Sequence, residues 1–98
     1  PVWIAKWKQR PNDFIQQPFA TLVTRDDVTD RLGEITCPAL VVHGTEDISI
    51  AMDKAEVLAA RLSGCDGVVK VSGAHAANLT NPLAVNAAVL AFLAELAD

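Results

Sequence analysis

The chain has 98 residues, of which 51% are hydrophobic and 20% charged, and its formal net charge is −4. Its few basic residues are scattered, which argues against nucleic-acid binding, and no apolar run reaches the roughly 18–20 residues of a membrane span. A chain this small buries only about 60–65% of its unfolded surface, so its own core is marginal. Because it begins with Pro1, we expect a piece of a longer chain. No signal peptide is visible, and we expect a cytoplasmic protein.

Residues 1–24 predict two helical segments separated by a break. Trp3 and Trp7 are four residues apart and would share one helix face. Core packing is the simpler interpretation of this pair, and a hydrophobic substrate pocket is the alternative. Residues 10–13 break the first segment, and Asn12 or Asp13 can cap the next. That second helical pattern covers residues 14–23, and Pro18 kinks or restarts it.

The middle of the chain predicts a helix, a strand and a longer helix. A short surface helix is expected over residues 25–32, ended by Gly33. Residues 39–42 form a continuous apolar run rich in β-branched side chains, which indicates a strand buried on both faces, as in parallel sheets. Residues 48–63 have small and apolar side chains at helical spacing, on a face that would pack on the sheet: Ala51, Ala55, Leu58, Ala59 and Leu62.

A second strand and a final helix complete the pattern. Residues 68–71 predict another buried strand, so that strand, helix and strand form a right-handed βαβ unit. Asn81 suits a helix N-cap and Pro82 the first helical position, which predicts a helix over residues 82–97. Its apolar stripe repeats every three or four residues: Val85, Val89, Phe92 and Leu96. The fold class is therefore α/β.

Chemically active side chains follow both predicted strands. Residues 38–47 read PALVVHGTED, and residues 72–75 read SGAH. Ligands bind outside the carboxyl ends of strands in open α/β sheets. Two neighbouring parallel strands would deliver Asp47 and His75 to the same edge of the sheet. A carboxylate that orients an imidazole is two thirds of a nucleophilic triad, and the serine is the third.

Three nearby residues compete for roles at this edge. His43 lies inside the strand end, so we expect a hydrogen-bonded structural histidine rather than a base. Glu46 competes with Asp47, but the last residue of the turn is better placed as the acid, and substitution of Glu46 should cost little. Ile48 follows the acid directly, where substrate contact and core packing are both open.

The two cysteines suggest neither a disulfide framework nor a metal site. Cys37 and Cys65 precede the two strands, at the end of the sheet opposite to Asp47 and His75. A disulfide between them is geometrically open, but free thiols are the expected state in a cytosolic protein. With only two histidines and no tight Cys/His cluster, no structural zinc site is expected.

Over residues 25–96, the chain resembles the carboxyl-terminal part of α/β-hydrolase-fold enzymes. The likeness is to the lid-bearing esterase and lactonase branch that includes 3-oxoadipate enol-lactonases. It rests on the ordered combination of several short matches: LGEI at 32–35, CPALVVHGTED at 37–47, GAH at 73–75, Asn78, Pro82 and NAAVLAFL at 86–93. The resemblance implies that residues 1–24 end a helical lid and that residues 25–98 belong to the hydrolase core.

The same resemblance implies the roles of the site residues. Asp47 corresponds to the triad acid, and His75 to the triad base. The nucleophilic serine of that family lies in a G-x-S-x-G elbow, which this chain lacks. The implied partners are a small ester or lactone substrate, touched by Trp3, Trp7 or Ile48, and the amino-terminal part of the same enzyme. No metal or organic cofactor is required. C–C hydrolysis, cofactor-free perhydrolysis and a non-catalytic fragment are the alternatives.

We predict that the 98 residues alone aggregate, swap strands or remain partly unfolded, because two strands leave sheet edges unpaired. Light scattering and a thermal melt of the isolated polypeptide measure this. A monomer that melts cooperatively would contradict the prediction.

Overall fold

The computed structural model of the protein describes residues 1–11 and 16–97. The elements follow in the order α1 (Val2–Lys8), α2 (Gln16–Thr24), a 3₁₀ helix (Thr29–Glu34), β1 (Val41–Gly44), α3 (Met52–Arg61), β2 (Val68–Val71), α4 (Ala77–Thr80) and α5 (Pro82–Leu96). The chain is therefore α/β, as the sequence predicts. Within the described ranges, no helix combines the length and apolar character needed to cross a membrane.

The two strands pair in parallel, with Val41 opposite Val68 and Gly44 opposite Val71. The second strand has the predicted bounds. The first begins and ends two residues later than predicted. Its end is later because the hydrogen-bonded pairing with β2 continues past Val42 to Gly44. There the Thr45 N–H donates to the Val71 carbonyl over 2.8 Å. The connection between the strands is α3, so this part of the chain is a βαβ unit.

The small core lies between β1 and α3. Val41, Ala55, Ala59 and Leu62 are buried together, and Met52 and Val68 pack against them. Three of the five predicted helix positions are thus buried, whereas Leu58 remains 37% exposed. Helix α5 packs against β2.

The helix after β1 is shorter than predicted. It begins at Met52 rather than residue 48, because the Asp47 side chain accepts the N–H groups of Ser49 and Ile50. Those bonds hold residues 47–50 as a turn of the kind that aspartate side chains form with following N–H groups.

The predicted helix over residues 25–32 is replaced by the 3₁₀ helix, which starts at Thr29 and includes Gly33. Asp27 accepts the backbone N–H of Thr29 over 2.8 Å and also its hydroxyl. This local bond competes with helical hydrogen bonds before Thr29 and delays the start of the helix. The predicted stop at Gly33 is wrong, because the 3₁₀ helix continues through Gly33 to Glu34.

The final helix matches its prediction closely. It runs from Pro82 to Leu96, and the Asn81 side chain accepts the Ala84 N–H over 3.5 Å. The one-turn helix α4 between His75 and Asn81 was not predicted, because residues 77–80 are too short for a periodic pattern.

Helices α1 and α2 contribute no buried residue. Trp3 is 56% exposed and Trp7 63% exposed, so the core-packing interpretation of this pair is wrong within the described residues. Pro18 lies within α2, two residues after the first described residue of that helix. The predicted cap at Asn12 or Asp13 and the start of that helix at Phe14 lie outside the described residues.

We predict that Gly44→Ala destabilises the fold. A Cβ at Gly44 would lie 2.3 Å from the Gly73 carbonyl oxygen and 2.4 Å from that of Ala74, so backbone must move. The expected loss in free energy of unfolding is about 1–3 kcal/mol, the usual range for overpacking. Urea denaturation of the protein that carries this chain together with its amino-terminal part measures it. Gly33→Ala is the control, because a Cβ there meets nothing within 4 Å. Equal losses in the two variants would contradict the close approach of the loops.

Candidate active site

Asp47 lies in the turn that follows β1, and its side chain is 3% exposed. Its Oδ1 accepts the backbone N–H groups of Ser49 and Ile50, each over 2.9 Å. The Ile50 N–H, followed by the hydrogen bond from His75, lowers the pKa of Asp47 below the ordinary value of 3.8, although burial opposes this shift. The carboxylate is therefore ionised at neutral pH, with Oδ2 available to a further donor.

His75 supplies that donor from the loop after β2. Its Nδ1 lies 2.9 Å from Asp47 Oδ2, so the pair has the separation expected of an acid and its histidine. A carboxylate accepts, so Nδ1 carries the proton, and Nε2 of the neutral ring is left as an acceptor. The His75 side chain is 67% exposed. Among the described residues, none forms a hydrogen bond with Nε2.

His43 occupies the other side of Asp47. Its Nε2 lies 2.9 Å from the Ile50 carbonyl oxygen and 3.6 Å from Asp47 Oδ2. A carbonyl only accepts, so Nε2 is protonated and cannot take up a proton from a nucleophile. The predicted structural hydrogen bond of His43 is confirmed. It holds the carbonyl of Ile50, the residue whose N–H binds the acid.

A cleft of about 300 Å³ opens beside the Asp47–His75 pair. Its other walls are mostly apolar, which suits the non-reacting part of a small molecule. The lining residues are Val42, His43, Gly44, Asp47, Ile50, His75, Ala77, Asn78 and Val85. A second cleft, of about 360 Å³, lies between residues 38–40, β2 and α5 and contains no histidine. Of these two clefts, the first is the one lined by the acid–histidine pair.

The structure does not bring the other predicted substrate-contacting residues to this cleft. Ile48 is 98% exposed, so it packs in no core formed by the described residues, and Ile50 lines the cleft. Trp3 and Trp7 on α1 are not among the lining residues. Substrate contact by Ile48, Trp3 and Trp7 remains a prediction. Within the described part of the chain, no three His, Cys, Asp or Glu side chains are grouped to hold a metal ion.

Sequence reasoning missed Glu46. Its Oε2 accepts the Gly73 N–H over 2.5 Å, and its own N–H donates to the Gly73 carbonyl over 2.9 Å. The expectation that substitution of Glu46 costs little stays a prediction, and these contacts argue against it. The sequence contains only a weak indication of this contact. Glu46 and Gly73 lie in the turns that follow two strands predicted to be neighbours.

The two cysteines are free thiols at the other end of the sheet, Cys37 exposed and Cys65 half-buried. Cys65 Sγ lies 3.4 Å from the Gly67 carbonyl oxygen. Neither residue lines the cleft beside His75.

The fold and this edge define an α/β chain with an oriented acid–histidine pair at the carboxyl ends of two parallel strands. Comparison with known proteins finds 39% identity over 67 residues with the protein named "Putative carbamate hydrolase RutD" of Rhizobium rhizogenes (strain K84 / ATCC BAA-868). The match covers 68% of this chain and 26% of that relative, so the chain spans about a quarter of its length. No family model and no solved structure matches.

This similarity supports a relationship to hydrolases and is consistent with the resemblance to α/β-hydrolase-fold enzymes. It does not support the narrower enol-lactonase branch, because the relative is named for carbamate hydrolysis.

We predict that Asp47→Asn lowers the melting temperature at neutral pH, because one amide oxygen cannot serve both the turn N–H groups and His75. Since folding lowers the pKa of Asp47, its contribution is complete above the ordinary pKa of 3.8. That contribution is lost as the pH falls through the folded-state pKa. The wild-type advantage should therefore shrink below pH 3.8.

Melting curves across this pH range, recorded on the protein that carries this chain together with its amino-terminal part, measure the difference. Asp26→Asn is the control, because it makes the same change in charge at an exposed position. A loss at neutral pH that is equal in both variants would contradict the role given to the turn.

Proposed function

We propose that this chain supplies the acid, Asp47, and the base, His75, of a serine hydrolase with the α/β-hydrolase fold. Its substrate would be a small molecule with a cleavable acyl bond. The observation that carries the proposal is the 2.9 Å hydrogen bond between Asp47 Oδ2 and His75 Nδ1. Two backbone donors fix the carboxylate, and the open cleft lies on the side of the imidazole.

In this proposal Asp47 selects the tautomer of His75 and stabilises its protonated form. Nε2 removes the proton from a serine hydroxyl as the serine oxygen bonds to the carbonyl carbon. The imidazolium then protonates the leaving alkoxide or amine, and the acyl group remains on the serine. A water molecule, deprotonated by the same nitrogen, releases the acid and restores the serine.

The serine is proposed to come from outside these 98 residues. Ser49, Ser63 and Ser72 all lack G-x-S-x-G flanks. Ser72 donates to Glu46, and Ser63 lies 3.4 Å from the Ile35 carbonyl oxygen, away from the His75 loop. The amino-terminal part of the same enzyme is the proposed source of the serine and the oxyanion donors. It would also supply the strands that cover the free sheet edge, and residues 1–24 would end its lid.

Three acyl substrates fit this chemistry. Esters and lactones follow from the motif resemblance, and carbamates follow from the name of the relative. In each, the serine oxygen attacks a carbonyl carbon that bears an oxygen or nitrogen leaving group. The carbonyl-activating groups that would separate these from C–C hydrolysis or perhydrolysis belong to the proposed amino-terminal part.

We predict that His75→Ala abolishes turnover in the protein that carries this chain together with its nucleophile. Asp47→Asn should reduce kcat by a factor on the order of 10⁴, because the amide favours the wrong tautomer. His43→Ala should lower the melting temperature, through loss of the Ile50 contact, more than it lowers kcat. The measurement is kcat on a p-nitrophenyl ester and on an aryl carbamate, beside the melting temperature of each variant.

Asp26→Asn is the matched control for the loss of one carboxylate. If Asp47→Asn retained near-normal turnover while His43→Ala lost it, the assignment of acid and base would be wrong. The ratio of kcat/KM for the two substrates identifies the preferred acyl group.

A further inference from the structure

The turns after β1 and β2 are joined by a reciprocal pair of hydrogen bonds between Glu46 and Gly73. The Glu46 N–H donates to the Gly73 carbonyl over 2.9 Å. The Gly73 N–H donates to Glu46 Oε2 over 2.5 Å. The first bond extends the strand pairing beyond Gly44, and the second is made by a side chain where the ladder has ended. A charged acceptor gives a shorter and stronger hydrogen bond than a neutral one.

The Glu46 carboxylate is also bound by hydroxyl donors from both turns. Thr45 Oγ1 donates to Oε2 over 2.7 Å, and Ser72 Oγ donates to Oε1 over 3.4 Å. The Gly73 N–H, and next the Thr45 hydroxyl, lower the pKa of Glu46 below its ordinary value. The ionised form, which accepts all three donors at once, is therefore the form present at neutral pH. A glutamine has one acceptor oxygen and cannot do the same.

The loop that carries His75 is contacted at Ser72 and Gly73 by side chains from outside the loop. Gly73 has φ of 141°, a backbone conformation that other residues rarely adopt. His75 follows two residues later, and within the described ranges its exposed side chain forms one hydrogen bond, to Asp47. On the other side, Asn81 Nδ2 donates to the Ser72 carbonyl over 2.9 Å. The position of the imidazole is thus set by the backbone of residues 72–75, which Glu46 and Asn81 hold from two directions.

We propose that Glu46 is a positioning residue for the proposed hydrolase: its carboxylate clamps the Ser72–Gly73 turn and thereby fixes His75 against Asp47. This inference rests on the proposed function for its catalytic consequence. Glu46 is distinct from the acid, because its carboxylate contacts the turn and forms no hydrogen bond with His75 among the described residues.

The test compares Glu46→Gln with Glu34→Gln in the protein that carries this chain and its nucleophile. Glu34 is the matched control, because it makes an exposed ion pair with Arg31, a kind that contributes little. The first readout is the proton NMR signal of His75 Nδ1–H in the absence of substrate, assigned by its loss in His75→Ala. We expect Glu46→Gln to shift this signal and to speed its exchange with water several-fold, and Glu34→Gln to leave it unchanged.

The second readout is steady-state kinetics. Glu46→Gln should lower kcat between about 10-fold and about 100-fold with little change in KM, since misplacing a catalytic group by up to 1 Å costs about that much. Glu46→Asp keeps the charge and should recover part of the loss. Thr45→Ala removes one donor and should give a smaller change of the same sign, which keeps the test decisive if Glu46→Gln folds poorly.

An unchanged Nδ1–H signal in folded Glu46→Gln would overturn the clamp, whatever the activity. Equal kinetic losses in Glu46→Gln and Glu34→Gln would also overturn it. If the signal changes as expected but the wild-type protein hydrolyses neither ester nor carbamate, the clamp stands and the proposed function fails.

Discussion

Gly44 at the end of β1 is paired with Val71 at the end of β2, and this register sets the separation of Asp47 and His75. Both side chains are reached within a few residues of the paired ends, so the loops have little length with which to absorb an error. A slip of one residue would move one turn by about 3.3 Å along the strand and reverse the faces of its side chains. The 2.9 Å contact between the carboxylate and the imidazole would then be lost.

Two adjacent carboxylates at this edge of the sheet bind different parts of the backbone. Asp47 is held within its own turn by Ser49 and Ile50, whereas Glu46 reaches across to the turn of Gly73. Among the described residues, neither is paired with lysine or arginine, and backbone N–H groups supply the main stabilisation of each charge. Hydrogen bonds of this kind keep a carboxylate ionised without placing a competing cation beside the histidine.

The sequence was sufficient to predict the α/β class, the second strand, the last helix and the meeting of Asp47 with His75. These features follow from apolar runs, cap residues and the geometry of parallel strands, which are local or nearly local rules. The rest depends on side chains that compete with regular structure: Asp47 delays α3, and Asp27 delays the 3₁₀ helix. The contacts of Glu46 were missed because its partner Gly73 is remote in sequence, and the residue types do not show where a backbone N–H is directed.

Asn81 both caps α5 and holds the carbonyl of Ser72. Its oxygen accepts from the helix while its amide nitrogen donates to the loop, so one side chain connects two regions that local unfolding would otherwise open separately. Small openings of this kind occur in cooperative units. Fraying of the first turn of α5 is therefore coupled to release of the loop before His75. The order of the imidazole thus depends partly on the stability of a helix end that takes no part in the chemistry.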